Sequence, residues 1–471
     1  MADRLLRWLP LVLVCGALAW VARRAAAPVS DPDDWWHLRL GNDLIGQRSL
    51  SAPDHWSVFA TVPWVPTEPV PEVVSAYVER WFGLPGLAVL FCAAGLAVVA
   101  TIFVTNRAEA ALLPSAVATV FTVLASVGSM TSRPQLVSFV LLPIVLGAWL
   151  RTERDLRPRW WLVPLLWCWS LCHGFWVFGV AYGLVVWAGI VLSRRADRGT
   201  TLRLLAVAVA SGAVVALNPL GLRVLEAPFV VNSTSQYIAE WARTDFGLIW
   251  PLGAVVMILG TAVIWGVTRE GVSWARVLIL LSACFLVWDA VRLVIVAALV
   301  MSPLFARALT TLVERSGGRV EPVARGASRR ELTLVGGWAV ACLVVVAVVS
   351  PQTSDKPGDV PVGLDAALDR LPAGTRVFND YDVGGWMAWR HPDLEHYIDG
   401  LVTPYSVEHV DGYGRVVSQA PGWYAVVQRS GAEVALLRAD SAAAAGLRNK
   451  GWTVEGTDDG YALLSRPAEF G

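Results

Sequence analysis

The stretch DPDDWWHLRLGN, residues 31–42, sets three carboxylates, two tryptophans, a histidine and an arginine side by side, just after a hydrophobic segment. A solvated loop has a use for Asp31, Asp33 and Asp34 but none for Trp35 and Trp36. A packed core takes the tryptophans and excludes the acids. The mixture suits a place at the edge of a bilayer, half wet and half apolar. The rest of the chain agrees. Of its 471 residues, 55% are hydrophobic and 16% charged, with a mean hydropathy of +0.54. Soluble domains carry about 25% charged residues, so this chain lacks the polar surface to cover itself in water. The 24 tryptophans fit the membrane–water interface. The formal net charge is zero, and nothing points to a nucleic-acid partner.

A membrane-spanning helix needs roughly 20 apolar residues. Eleven segments are expected to span, at about 6–26, 84–104, 110–128, 135–150, 160–173, 175–193, 204–217, 248–267, 277–290, 292–307 and 333–350; the fifth and ninth are short. The connections RTERDLRPR (151–159), SRRADRGTTLR (193–203), TREGVSWAR (268–276) and the segment from Arg307 to Arg330 carry arginines. The positive-inside rule places all four in the cytoplasm. Eleven spans then put the N-terminus inside, as Arg4 and Arg7 suggest, and the C-terminal region outside. The first loop, 27–83, also lies outside; its eight acids against three bases give it a net charge of about −5. The small residues of RRAAAPVS fit a cleaved signal peptide, but Arg23 and Arg24 sit where cleavage wants no charge, so an uncleaved helix is expected.

The expected organisation is therefore a mainly α, polytopic transmembrane domain over 1–350, containing the 27–83 loop, and a small extracytoplasmic α/β domain over 351–471. In the latter, strand-like runs (TRVFND, EHYIDG, AEVALLR, YALLS) alternate with helix-like ones (VGLDAALDRL, GWYAVVQRSG, SAAAAGLRNKG). The segment 316–332 reads as a flexible cytoplasmic connection. The six cysteines lie in or beside apolar runs with no disulfide or zinc spacing, and Cys168 and Cys172 read as core packing.

Ionisable groups at membrane depth are costly and are usually paired or functional. Here they gather at the outer ends of the expected helices: Arg133, His173, Asn218, and Asp289 with Arg292. Either they ring one outward cavity with the first loop, or each has a local role. Asp289 and Arg292, spaced i, i+3, would then neutralise each other, Arg133 would snorkel to the interface, and His173 would cap a short helix. Outward carboxylates beside arginines suit sugar transfer from a lipid phosphate. A carboxylate takes the proton of the attacking hydroxyl, and an arginine, or a divalent cation (Mg or Mn) held by Asp31 and Asp33, steadies the departing phosphate.

DPDDWWHLRLGNDL and SAPDHWSVFATVPWVPTEPVPE together resemble the first outer loop of bacterial GT-C-type membrane glycosyltransferases with a D-x-D-x-WWH motif. The likeness continues through TSRPQLVSF, LCHG, LNPLGLRVLEAPF, AEWARTDF, VFNDYDVGGWMAW and YIDG, over nearly the whole chain. The first loop is also similar in layout to that of the oligosaccharyltransferase catalytic subunit. The resemblance implies a polyprenyl-phosphate sugar donor, transfer on the outer face of a bacterial plasma membrane, and a glycan, lipid or protein acceptor. It implies Asp33 as base or metal ligand, supported by Asp31, with His37, Arg39, Glu68, Arg133, His173 and Arg292 binding substrate. The chain departs from the pattern at Asp34, where a small or apolar residue is usual, at Pro69 in place of tryptophan after Glu68, and at Arg292, which lacks a following asparagine. Two other readings stay open: a transporter or flippase of a lipid-linked substrate, and an inactive scaffold with this fold.

Overall fold

The computed structural model describes residues 2–50, 56–225, 238–317 and 326–467. The Asn232–Ser233–Thr234 sequon and residues 318–325 of the 316–332 connection lie outside them. The chain forms two compact units. One comprises 1–27, 88–226 and 239–351; the other comprises 28–87, 227–238 and 352–471.

The first unit is helical. Its elements are α1 (Ala2–Ala25), the second half of a long helix α3 (Pro69–Arg107), α4 (Leu112–Ala125), α5 (Gln135–Asp155), α6 (Leu162–Ser170), α7 (Trp176–Leu192), α8 (Arg198–Ala213), α9 (Leu252–Thr268), α10 (Trp274–Asp289), α11 (Val294–Arg315) and most of α12 (Arg329–Thr353). Each of the eleven expected segments falls on one of these helices. Six helices among the described residues are long and apolar enough to cross a membrane, and α4, α7 and α9 are shorter apolar helices. Helix α11 is the centre of the unit, with 89% of its apolar window buried, whereas α12 buries only 17% of its own. An apolar helix that other helices leave uncovered has lipid as its solvent.

Inside this unit several buried polar side chains pair from helix to helix, as an apolar medium favours. The Asn106 amide donates to Thr119 Oγ1 (3.1 Å) and Ser302 Oγ (2.9 Å), and Thr122 Oγ1 donates to Ser302 Oγ (2.8 Å). Glu331 is buried and takes Arg107 on both oxygens, each at 3.1 Å. The expected flexible connection is thus anchored at its end, because a buried carboxylate needs a cation.

The second unit holds most of the first loop, within its residues 28–87. Much of it is helical. Helix α2 (Pro32–Gln47) begins where Asp31 caps it, its side chain accepting from the Asp33 amide, with Pro32 at the first position and Asp33 and Asp34 in the first turn. Acids there complement the helix dipole. The first half of α3 follows, broken from the second at Gly83, whose φ of +64° a side chain would strain.

The same unit contains a five-stranded sheet of order β2-β1-β3-β5-β4, built from Arg376–Asn379 (β1), Glu395–His396 (β2), Val434–Arg438 (β3), Thr453–Asp458 (β4) and Tyr461–Ser465 (β5). β1 runs parallel to β2 and β3; β5 is antiparallel to β3 and β4. Helices Tyr381–Arg390 (α13), Val407–Val417 (α14), Trp423–Ser430 (α15) and Ala442–Asn449 (α16) connect the strands. The alternating runs fall where expected. The segment VGLDAALDRL reaches only a 3₁₀ turn and a four-residue helix. Phe378, Ile398, Val416, Val427, Leu437, Leu447 and Leu464 form the core.

Candidate functional site

The D-x-D-x-WWH stretch is the N-terminal half of α2. Its helical period sends alternate residues to different neighbours in the second unit. Trp35 is fully buried and stacks on Trp389 of α13, with ring centroids 5.3 Å apart. Gly385 gives α2 room to approach, since a Cβ there would meet the Pro32 carbonyl oxygen at 2.8 Å. Arg39 donates from Nη1 to the Ala388 carbonyl (3.0 Å) and from Nε to Asp43 (3.1 Å). The geometry therefore gives Arg39 a part in holding α2 to α13.

Asp33 points the other way, against the YIDG turn. Its Oδ1 would lie 2.4 Å from a Cβ on Gly400, so a side chain there would force the Asp33 carboxylate to move. That turn is fixed by Asp399, which is buried and whose Oδ2 takes both His396 Nε2 and the Tyr405 hydroxyl at 2.8 Å. Tyr381 at the start of α13 donates to the Gly400 carbonyl (3.2 Å). Asn379 ties the same region, donating to the Ile398 carbonyl (2.7 Å) and accepting from the Tyr397 amide (2.7 Å). The motifs NDYDVGGW and YIDG thus build the surroundings of Asp33. Residues 379–385 are a strand end leading into a capped helix, with Asp380 accepting from the Asp382 amide.

His37 faces the start of α3. Its Nδ1 lies 3.1 Å from Glu72 Oε1 and its Nε2 lies 4.0 Å from Glu68 Oε2. His37 and Glu72 are buried, at 6% and 2% exposure. The three side chains offer donor atoms all within 4.8 Å of one another, the one metal-capable group of three among the described residues. Sequence reasoning placed Glu68 here and missed Glu72. The signal was its spacing, four residues from Glu68 at a helix start. Asp31, expected beside Asp33 as a cation ligand, caps α2 through Oδ1. A divalent cation on Asp31 and Asp33 stays a proposal.

Arg133, His173 and Arg292 belong to the helical unit. Arg133 and Arg292 share one partner that sequence reasoning did not single out, Glu240, at 2.7 and 3.1 Å. Arg292 also lies over the rings of Phe175 (5.6 Å) and Trp241 (5.8 Å). Its pairing answers the i, i+3 alternative, for Asp289 is exposed and Glu240 holds Arg292 instead. Arg292 Nε is buried with no hydrogen-bond partner among the described residues. His173 is buried against Ser138 Oγ (2.9 Å), which also accepts from Trp169 Nε1 (2.7 Å). Asn218 is buried and closes its own turn, accepting from the Leu220 amide and donating to Ser170.

Helices of this length and apolarity, with a first-loop helix and a sheet-bearing unit, make a multi-pass membrane protein with the fold of the GT-C membrane glycosyltransferases. Two solved structures share it. ArnT from Cupriavidus metallidurans in the apo state is similar at 14% identity and a TM-score of 0.55, over 100% of this chain and 99% of that one. The Archaeoglobus fulgidus oligosaccharyltransferase in the apo form is similar at 12% identity and a TM-score of 0.53, over 91% of this chain and 69% of that one. No family model and no curated protein matches the sequence.

Proposed function

We propose that this chain is a glycosyltransferase that moves a sugar from a polyprenyl-phosphate donor to a glycan, lipid or protein acceptor on the outer face of a bacterial plasma membrane. The observation that carries the reading is Asp33, presented in the first turn of α2 against a glycine of a rigid turn, in a chain whose fold matches ArnT over its whole length. In the reaction, Asp33 takes the proton of the acceptor hydroxyl as its oxygen bonds to the anomeric carbon. The bond from that carbon to the phosphate oxygen breaks, and the phosphate keeps the electron pair. One base acting opposite the leaving group gives inversion. Arg133 and Arg292 are the groups proposed to bind the phosphate, a guanidinium being suited to that charge. Asp31 holds the first turn of α2, and His37 and Arg39 position that helix.

The proposed topology has support from charge pairing within the helical unit. Arg133, Glu240 and Arg292 come from segments all assigned to the outside. Arg107 with Glu331, Glu109 with Arg154 and Arg276, and Glu270 with Arg307 come from segments all assigned to the cytoplasm. Each of these pairs joins segments assigned to the same side.

The test is Asp33→Asn in purified full-length protein given a polyprenyl-phosphate sugar. Transfer is expected to fall at least a hundredfold with yield and melting temperature unchanged. Transfer at the parental rate would remove Asp33 from the chemistry. Movement of the lipid across sealed vesicles without transfer would favour a flippase.

A further inference from the structure

We infer that a cavity at the ends of α5, α7, α9 and α10 assigned to the cytoplasm binds the head group of an amino-phospholipid. Glu153, Glu270 and Ser273 hold its ammonium, and Arg195 holds its phosphate. The cavity measures about 190 Å³, far above the roughly 10–15 Å³ that one water needs. Its lining runs from exposed Arg195 to Glu153, which is 3% exposed. Three buried acceptor atoms in that lining have no hydrogen-bond partner among the described residues: Glu153 Oε2, Glu270 Oε2 and Ser273 Oγ. Glu153 Oε2 stands 3.7 Å from Arg276 Nε, beyond hydrogen-bond reach. Glu270 meets Arg307 through its other oxygen, at 3.9 Å. Ser273 stands at the start of α10, where a serine ordinarily caps the helix, yet its side chain makes no capping bond. Buried polar atoms left unpaired are costly, and a ligand that brings donors to them removes the cost.

The missing element is a donor, since an ionised carboxylate only accepts. A primary ammonium has three N–H donors, one for each open atom. Its charge suits the two carboxylates, and Trp265 adds to the same wall an indole, the aromatic neighbour that a cation favours most. A metal ion fits less well. Neither acid belongs to a group of three metal-capable side chains among the described residues, and each already faces a guanidinium. The cations of the cavity select the other half of the ligand. Arg154 and Arg276 are engaged by Glu109. Arg195 makes no ion pair among the described residues and is open to an anion. A phosphodiester beside an ammonium supplies that anion. Ends of membrane-spanning helices lie in the head-group layer at either face, so the inference depends neither on which face is inside nor on sugar transfer.

The full chain is placed in nanodiscs holding equal amounts of phosphatidylethanolamine, phosphatidylcholine and phosphatidylglycerol, and retained lipid is read by native mass spectrometry. Phosphatidylcholine has methyl groups where phosphatidylethanolamine has N–H donors. The ethanolamine lipid is expected to be retained over it by about tenfold, as one charge-assisted hydrogen bond allows. Glu153→Gln should abolish the preference. If that buried variant fails to fold, half-buried Glu270 and Ser273 serve instead: Glu270→Gln and Ser273→Ala should each reduce the preference with melting temperature unchanged. Arg195→Ala should lower retention of the ethanolamine lipid while keeping its advantage over the choline lipid. Equal retention of the two, retention of the glycerol lipid as strong as that of the ethanolamine lipid, or an unchanged preference in the folded variants would overturn the ammonium assignment. Soluble phosphoethanolamine, titrated into the detergent-purified chain, should not bind at concentrations where the lipid saturates. Binding as tight as the lipid's would make a soluble zwitterion the occupant and overturn the lipid assignment.

Discussion

Asp33, Arg133 and Arg292 are given different duties, and binding separates them. Arg292→Ala is expected to weaken binding of a polyprenyl phosphate without sugar about ten- to a hundredfold, a charge-assisted contact being worth roughly 1.5–3 kcal/mol. Asp33→Asn should leave that affinity near the parental value, since a base for the acceptor need not touch the lipid. Titration of each variant with the lipid phosphate checks both, and equal losses would mean that the two residues share one role. Asp33, His37 and Arg133 are legible in the sequence because ionisable groups among tryptophans or at helix ends stand out. Glu72 and Glu240 are not, because an acid's partner is chosen by the fold. Glu240 pairs with arginines 107 positions before it and 52 after it, and no local spacing carries that.

At the scale of elements, glycines set how near the helices come. Gly384 in α13 has no room for a side chain, because a Cβ would lie 1.9 Å from the Ile398 carbonyl oxygen, while Gly414 in α14 has nothing within 4 Å. Gly384→Ala should therefore destabilise by about 1–3 kcal/mol or more. Gly414→Ala should be neutral or stabilising by about 0.4–1 kcal/mol, and the two melting temperatures decide. The sheet-bearing unit should also respond to acid through His409. Burial holds its imidazole below the usual 6.5, with the Tyr397 carbonyl opposing. The folded form resists a proton that the unfolded chain accepts. That stability is whole above pH 6.5 and is lost as pH falls toward the folded value. His409→Gln should flatten the fall in melting temperature between about pH 7 and 5.

Helix α2 was within reach of sequence reasoning. Asp31 followed by Pro32 and two acids is a helix start, yet the density of charge makes the stretch read as a loop. α13 hides for a related reason: Gly384 and Gly385 argue against a helix locally, and only the contacts they permit explain them. The apolar helices of the first unit are legible throughout, since each must bury or oil-coat its whole surface.

At the scale of the molecule, sidedness is the property to measure. Arg157 and Asp289 are both exposed, on segments assigned to opposite faces. With native cysteines replaced, an impermeant thiol reagent on intact cells should label Asp289→Cys and spare Arg157→Cys. Labelling of both, or the reverse pattern, would undo the proposed topology. Buried Arg107 gives a second measure. Arg107→Ala strands Glu331 and should cost about 3–5 kcal/mol, read as lost yield and a lower melting temperature.

Gly400, pressed against Asp33, has one more implication. The Asp33 carboxylate and the turn beside it are separated by more than 360 positions of chain, yet a side chain added at Gly400 would displace that carboxylate. A hybrid enzyme made by grafting another protein's tail onto this one would bring a foreign turn to a native acid. Exchange of such parts is expected to give a folded hybrid only when residues 28–87 travel with 352–471, which form one compact unit.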